Sequence, residues 1–189
     1  MKQAKVINDG EMKRLLAIVD AGKHAHRNRV AVMLSYMAGL RVGEIAALTI
    51  GDVYDSDGNV REQIFLKSAY TKGGHSRTVF VSKRLAKGLS SYFVTLPASL
   101  KPERPLLLTQ KNTAFSANTL CQLFGQLYNK AGIDGASSHS GRRSFITKLA
   151  HSGISAKVIM TLAGHKHLTT TQRYIDVNDE MLKQAVEVV

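Results

Sequence analysis

Three segments near the start of the chain carry apolar residues at helical spacing, which lines one face of a helix with side chains able to enter a core. In residues 11–20 the apolar positions at helical spacing are Met12, Leu15, Leu16 and Val19. Residues 28–37 repeat the pattern, and 42–48 form a shorter version of it. Asn8 and Glu11 are spaced like the two members of a capping pair. We therefore predict three helices, the second ending at Gly39.

The pattern then changes to short runs of β-branched and aromatic residues. These runs cover 53–54, 64–66 and 78–81. Asp57-Gly58 and the segment 72–74 (Lys-Gly-Gly) are turn signals between them. The first half of the chain thus predicts an α+β fold, mainly α-helical, with a small antiparallel β-sheet or hairpin after the first helices.

Helical spacing returns after Ser82. The apolar residues that share one face there are Leu85, Leu89, Tyr92 and Phe93. A loop bounded by Pro97, Pro102 and Pro105 follows, and we interpret it as dividing two lobes of one fold. The remaining predicted helices cover 117–130, 140–151 and 155–162, with Gly132, Gly153 and Gly164 as C-terminal caps. The tail 179–189 reads as a short amphipathic helix that aligns Met181, Leu182, Ala185 and Val186.

The length, net charge and cysteine count of the chain limit which class of protein it is and which partner it binds. A chain of 189 residues fits one domain. Its net charge of +12 favours a polyanionic partner, with nucleic acid first and an anionic membrane as the rival. Scattered lysines and arginines argue against the membrane. The single cysteine, Cys121, excludes an internal disulfide and a cysteine-based zinc cluster. No apolar run resembles a membrane span or signal peptide, so we expect a cytoplasmic protein.

Four residues in the last third and one pair upstream are candidates for chemistry. His139 and Arg142 are three apart, so both project from the opening turn of the predicted helix, where an arginine and the helix N-terminus can hold a phosphate. The alternative is a capping histidine beside a solvated arginine. His165 with His167 is either a metal pair or a polar loop, and zinc is disfavoured because neither a carboxylate nor a cysteine stands at a usual spacing.

Tyr174 is the candidate nucleophile. A phenol with a pKa near 10 holds its proton at neutral pH, and removing that proton costs about 4 kcal/mol. A nucleophilic tyrosine therefore needs cations nearby. The non-catalytic alternative is that Tyr174 is a half-buried tyrosine on a terminal helix. Arg41 is one possible cation, although its position just after a predicted helix also suits a positive charge that stabilises the negative C-terminal end of the helix dipole. Glu44 is its supporting partner or an ordinary surface ion pair.

Taken in order, these residues resemble the tyrosine recombinase (phage integrase) family. The matching positions are Arg41, Lys72, His139, Arg142, His165 and Tyr174. The motifs that carry the resemblance are 38–45, 71–74 with 77–79, 162–165 and 170–174. Lys67 and Lys83 are rivals to Lys72, which only its turn placement selects. Gly141 and Arg143 depart from the leucine and histidine that the family usually shows around its second arginine.

The resemblance implies a metal-free and cofactor-free DNA breaking and rejoining enzyme that forms a 3′-phosphotyrosyl intermediate. Arg41 and Arg142 would clamp the phosphate, His139 would accept the proton of Tyr174, and Lys72 would protonate the leaving oxygen. His165 would donate a hydrogen bond, and Glu44 would support Arg41. Since only some forty residues precede Arg41, we expect 1–189 to be a catalytic domain without a separate N-terminal DNA-clamping domain, either excised or naturally short.

The same resemblance implies the partners. These are double-stranded DNA, a homo-tetramer on paired DNA sites and DNA-bending accessory proteins, without a membrane. The tail residues would dock on a neighbouring subunit or pack on their own core. Two alternatives stay open at this point: strand relaxation like that of a type IB topoisomerase, and a catalytically inert DNA-binding regulator on the same scaffold.

Overall fold

The computed structural model of the protein describes residues 3–71, 74–97, 101–175, 182–183 and 186–187. Helices dominate it: α1 Asp9–Asp20, α2 Ala25–Ala38, α3 Val42–Ala47, α4 Ile50–Val53, α5 Lys83–Phe93, α6 Ala117–Lys130, α7 Ser140–His151, α8 Ala156–Ala163 and α9 Leu168–Gln172. Two strands, β1 Gln63–Leu66 and β2 Arg77–Phe80, stand between α4 and α5. Within these ranges, every helix is too short or too polar to cross a membrane.

The sheet is a single antiparallel pair. Gln63 lies opposite Phe80, and Leu66 lies opposite Arg77. A 3₁₀ turn over Ser68–Tyr70 follows β1 and leads into the connection to β2. The predicted fold class, mainly helical with a small antiparallel sheet after the first helices, is confirmed.

Local signals located most helix ends correctly. Asn8 and Glu11 form the predicted capping box, with the Glu11 amide donating to Asn8 Oδ1 at 2.8 Å. Gly39 ends α2 with φ of 65°, and Gly164 ends α8 with φ of 63°. These backbone angles favour glycine because it has no Cβ to clash. Gly132 and Gly153 follow α6 and α7 with positive φ in the same way.

The predicted strand at 53–54 is wrong. Val53 is the last residue of α4, and Tyr54 makes only an isolated bridge to Val60. The reason is a local capping box, in which the Thr49 amide donates to Asp52 Oδ2 at 2.9 Å and starts a helical turn. The prediction also missed α4 and α9, because single helical turns are too short to show a clear period.

One core joins the parts of the chain on either side of the proline-bounded loop. Leu15, Leu34 and Leu48 pack in the same buried cluster as Leu106 and Phe124. A second, smaller cluster lies between α7 and α8 and consists of Ile146, Ala150, Ile159 and Ala163. The predicted tail helix lies largely outside the described residues; of its apolar positions, Leu182 and Val186 are described and exposed.

Helix α2 lies at the centre and packs on α1, α5 and α7. At its contact with α7, Gly141 stands directly against Ser35. A Cβ on Gly141 would lie 2.5 Å from Ser35 Oγ and 3.0 Å from Ser35 Cβ. The glycine found in the opening turn of α7 therefore permits a close approach of two helices, and it sets the position of Arg142, the next residue.

This contact generates a paired stability prediction. Replacing Gly141 with alanine should destabilise the protein, because the overpacking penalty of about 1–3 kcal/mol exceeds the gain in helix propensity of about 1 kcal/mol. Gly125→Ala in α6 is the matched control, since a Cβ there meets nothing within 4 Å, and it should stabilise by up to about 1 kcal/mol. Urea unfolding measures both, and equal effects of the two changes would contradict the close-approach explanation.

Candidate active site

Arg142 is held between the ends of two helices. Its side chain is almost fully buried, with the residue 6% exposed. Nη1 donates to the carbonyl of Gly39 at 2.6 Å, and Nη2 donates to the carbonyl of Ala163 at 2.6 Å. Carbonyls at a helix C-terminus lack partners within the helix and carry the negative end of its dipole. They therefore satisfy a buried cation without a carboxylate, and they fix its plane.

The environment of Arg142 is strongly cationic. Burial lowers the pKa of Arg142 to about 9, with contributions from the neighbouring charges of Arg41 and Arg77. The guanidinium therefore keeps its proton at neutral pH. Tyr174 lies close enough to act on Arg142 in the opposite direction.

Glu44 in α3 is a buried carboxylate shared by two arginines. It is 1% exposed. Its Oε1 accepts from Arg41 Nη1 at 2.9 Å, and its Oε2 accepts from Arg77 Nη2 and from the Arg41 backbone amide, both at 2.8 Å. Burial by itself raises the pKa of Glu44, but Arg77 and Arg41 outweigh it and hold the pKa below its usual value. The alternative of an ordinary surface ion pair is wrong, because Glu44 is buried while Arg41 stays partly exposed.

Arg77 is a residue that our sequence analysis quoted in a motif but did not select for the site. Its side chain is 9% exposed. Besides binding Glu44, it donates through Nη1 to the carbonyl of Leu162 at 2.8 Å. A sequence signal existed: residues two apart on a strand share a face, so Arg77 lies on the same inward face as buried Val79. A charged residue on that face required a buried partner, and the partner is Glu44.

His165 directly follows Gly164, the cap of α8. Its Nδ1 lies 2.9 Å from the hydroxyl of Thr171, a fully buried residue of α9 that our sequence analysis did not select as a site residue. Burial lowers the pKa of His165 to about 4, and Arg142, Arg41 and then Arg77 act in the same direction. The imidazole is therefore neutral at pH 7.

Tyr174 lies just beyond α9 and is half-buried. Its ring stacks on His165, with centroids 6.0 Å apart and planes inclined by 21°. The guanidinium carbon of Arg143 lies 5.6 Å from the centre of the same ring. The backbone amide of Tyr174 donates to the carbonyl of Thr171 at 3.0 Å. Arg143, one of the two departures from the family pattern, thus brings a cation to the ring of the candidate nucleophile.

The other two candidates are less constrained by the described contacts. His139 is the N-cap residue of α7, its side chain makes no capping hydrogen bond, and the residue is exposed. The capping alternative for His139 is therefore wrong. Lys72 lies outside the described residues, so its position in the site stays a prediction. Thr71, the residue before it, lines the pocket described next.

Arg41, Arg77 and His165 line one pocket of about 1000 Å³, open to solvent, together with Lys166. Glu44 also reaches this pocket, and both its oxygens are already bound to arginines. The pocket therefore presents an excess of positive charge and suits an anion such as a phosphodiester. In the part of the chain that the structure describes, no group of three His, Cys, Asp or Glu residues could hold a metal ion.

The phage integrase family model matches residues 5–181, and the chain belongs to that family. The chain is similar to the tyrosine recombinase XerA of Pyrococcus horikoshii, with 30% identity over 187 residues covering 97% of this chain and 60% of that protein. It is similar to the tyrosine recombinase XerD of Neisseria meningitidis serogroup A, with 31% identity covering 96% of this chain and 62% of that protein. It spans about three fifths of each.

Solved structures agree on the fold. The crystal structure of a XerA recombinase superposes with a TM-score of 0.76 at 26% identity, covering 98% of this chain and 65% of that one. A Tn1549 transposon integrase in complex with a circular intermediate DNA gives a TM-score of 0.80, covering 100% and 67% of the two chains. Identity to the integrase is 17%, so this second likeness bears on the fold alone.

The shared carboxylate generates a stability prediction. Glu44→Gln should lower the free energy of unfolding at pH 7 by about 3–5 kcal/mol, because it leaves buried Arg77 without its counter-charge. Because the pKa of Glu44 is lowered in the folded state, this stabilisation is present above about pH 4.3 and is lost as pH falls through the folded pKa. The deficit of the variant should therefore shrink in acid.

Urea unfolding at several pH values measures this effect. Glu62→Gln is the control, since Glu62 is exposed and makes no ion pair within the described ranges. It should change stability by less than about 0.5 kcal/mol. Equal effects of the two substitutions would show that Glu44 is not a buried counter-charge.

Proposed function

We propose that this protein is a site-specific DNA recombinase that cuts and rejoins DNA strands through a 3′-phosphotyrosyl intermediate. The observation that carries the proposal is a cationic pocket lined by Arg41 and His165, with Arg142 close to His165 and Tyr174 stacked on it. Membership of the phage integrase family supports the same reading.

In the proposed reaction the oxygen of Tyr174 attacks the scissile phosphorus. A bond forms between this oxygen and phosphorus, and the bond from phosphorus to the 5′ oxygen breaks. The freed 5′ hydroxyl later attacks the phosphotyrosyl bond of a partner strand, which restores the phosphodiester without an external energy source. Arg41 and Arg142 neutralise the charge that grows on the non-bridging oxygens, which is the task of a metal ion in other phosphoryl-transfer sites.

Two protons move in this scheme. His139 accepts the proton of Tyr174, and Lys72 donates one to the leaving 5′ oxygen. General acid and base groups of this kind contribute about 10²–10⁴-fold each. Exposure of His139 is compatible with its part, since a base that meets DNA needs access from solvent. His165 donates a hydrogen bond to the phosphate, and Glu44 holds Arg41 in place.

The proposed partner is double-stranded DNA, for which the charge of +12 is suited. We further propose that residues 1–189 form a catalytic domain that works as a homo-tetramer on paired DNA sites in the cytoplasm, with DNA-bending accessory proteins. Exposure of Leu182 and Val186 supports a tail that docks on a neighbouring subunit rather than on its own core.

The nucleophile assignment predicts the behaviour of Tyr174→Phe. This variant should form no covalent adduct with nicked duplexes made from the DNA that flanks the coding sequence, and it should bind them as wild type does. Tyr36→Phe is the control, because it removes a hydroxyl that contacts Asp9 of α1 rather than the pocket. The adducts are counted on denaturing gels. An adduct of Tyr174→Phe as abundant as that of wild type would reject the assignment.

The clamp predicts a separate effect for Arg142→Lys. Charge is retained, but an ammonium lacks the planar fork that bonds both helix ends, so cleavage should fall by about 10²–10³-fold. DNA affinity should change less than threefold or so, because other cations hold the duplex. Arg84→Lys on the exposed side of α5 controls for the exchange itself. Single-turnover cleavage and equilibrium binding measure the two quantities, and equal losses in both would mark Arg142 as a binding residue only.

A further inference from the structure

Thr171 contacts both parts of the candidate site that follow α8, namely His165 and the segment that carries Tyr174. Its hydroxyl lies 2.9 Å from Nδ1 of His165, and its carbonyl accepts from the backbone amide of Tyr174. The side chain is fully buried. One residue of a single short helix thus contacts the histidine and holds the tyrosine segment.

The hydrogen bond between Thr171 and His165 has two possible directions. Either the hydroxyl donates to an unprotonated Nδ1, or a protonated Nδ1 donates to the hydroxyl oxygen. In the second case the hydroxyl proton would need another acceptor. Within the described ranges, Nδ1 of His165 is the sole hydrogen-bond partner of this hydroxyl.

Burial decides between the two directions. A buried hydroxyl proton without an acceptor loses its hydration and gains nothing in return, so native structures avoid it. The satisfied arrangement therefore has the hydroxyl donating to Nδ1. A neutral imidazole carries one proton, and with Nδ1 occupied as an acceptor that proton sits on Nε2.

We propose that Thr171 is a positioning residue that fixes His165 as the neutral Nε2–H tautomer, so that the pocket receives a hydrogen-bond donor at this position. The tautomer assignment rests on the hydrogen bond between Thr171 and His165 alone. Its consequence for cleavage rests on the proposed recombinase function.

The charges around His165 explain why this tautomer suits a phosphate. Arg41, Arg77 and Arg142 all lie near the ring, and a fourth positive charge on the imidazole is disfavoured beside them. The opposite neutral tautomer would turn a lone pair of Nε2 towards an anionic oxygen. Only the Nε2–H form supplies a donor at this position without an added charge.

The first test needs no DNA. Long-range proton–nitrogen NMR spectra of histidine side chains distinguish a protonated from an unprotonated ring nitrogen, and the His165 signal is identified by its loss in His165→Gln. Wild type and Thr171→Ser should show a proton on Nε2 at pH 7, whereas Thr171→Val, which is isosteric but lacks the hydroxyl, should lose the single-tautomer pattern. Thr169→Val, on the same helix and exposed, should resemble wild type.

A wild-type His165 protonated at Nδ1 would overturn the proposal, and so would an unchanged tautomer in Thr171→Val. Both outcomes are readable whether or not the protein cleaves DNA. The proposed function and this inference can therefore fail separately.

The second test measures single-turnover cleavage of a nicked duplex. Thr171→Val should cleave about 10- to 100-fold more slowly than wild type, which is less than the roughly 10²–10³-fold cost of losing a whole oxyanion donor. Thr171→Ser should restore most of the rate, and DNA affinity should stay within about threefold of wild type in both. Wild-type cleavage by Thr171→Val would overturn the catalytic part. A cleavage rate of Thr171→Ser as low as that of Thr171→Val would also overturn it, because it would show that Thr171 acts through packing and not through its hydroxyl.

Discussion

The position of Arg142 between the ends of α2 and α8 is the interaction on which the site depends. Two helix-end carbonyls, from Gly39 and Ala163, receive the two Nη atoms of one buried guanidinium. Each carbonyl is available because a glycine ends or follows its helix there and no further turn uses it. The packing of these helices therefore also fixes the direction of the guanidinium. Gly141 contributes by letting α7 approach α2 closely enough for Arg142 to reach the carbonyl of Gly39.

A second constraint is the balance of charge around that guanidinium. Arg41, Arg77 and Arg142 would repel one another, and buried Glu44 is the carboxylate that binds two of them. Its lowered pKa keeps it ionised at neutral pH. Burial, assisted by the excess of positive charge, keeps His165 neutral, and the same excess leaves the pocket attractive to an anion. One carboxylate thus fixes the geometry of two of the three cations.

Local sequence signals worked where the physics is local. The Asn8 capping box and the glycines after α2, α6, α7 and α8 act within a few residues, so the ends of most helices could be predicted. The incorrect strand at 53–54 shows the limit, because apolar β-branched residues also occur in a helical turn when Thr49 and Asp52 cap it. For the site, the family resemblance selected Arg41, Lys72, His139, Arg142, His165 and Tyr174. Of these, Arg41 and His165 line the pocket, and Arg142 and Tyr174 lie beside His165.

By itself the sequence determined the helical framework, the hairpin, the excess positive charge and the identity of the reactive groups. Only the tertiary structure decided what holds them. Arg142 and Gly39 are 103 positions apart, and Arg77 and Leu162 are 85 apart. Thr171 could not be predicted for a different reason. A threonine hydroxyl gives no distinct signal in the pattern of charge or hydropathy, and it gains a role only when burial leaves its proton a single acceptor. Such partners are fixed by packing, which no local period encodes.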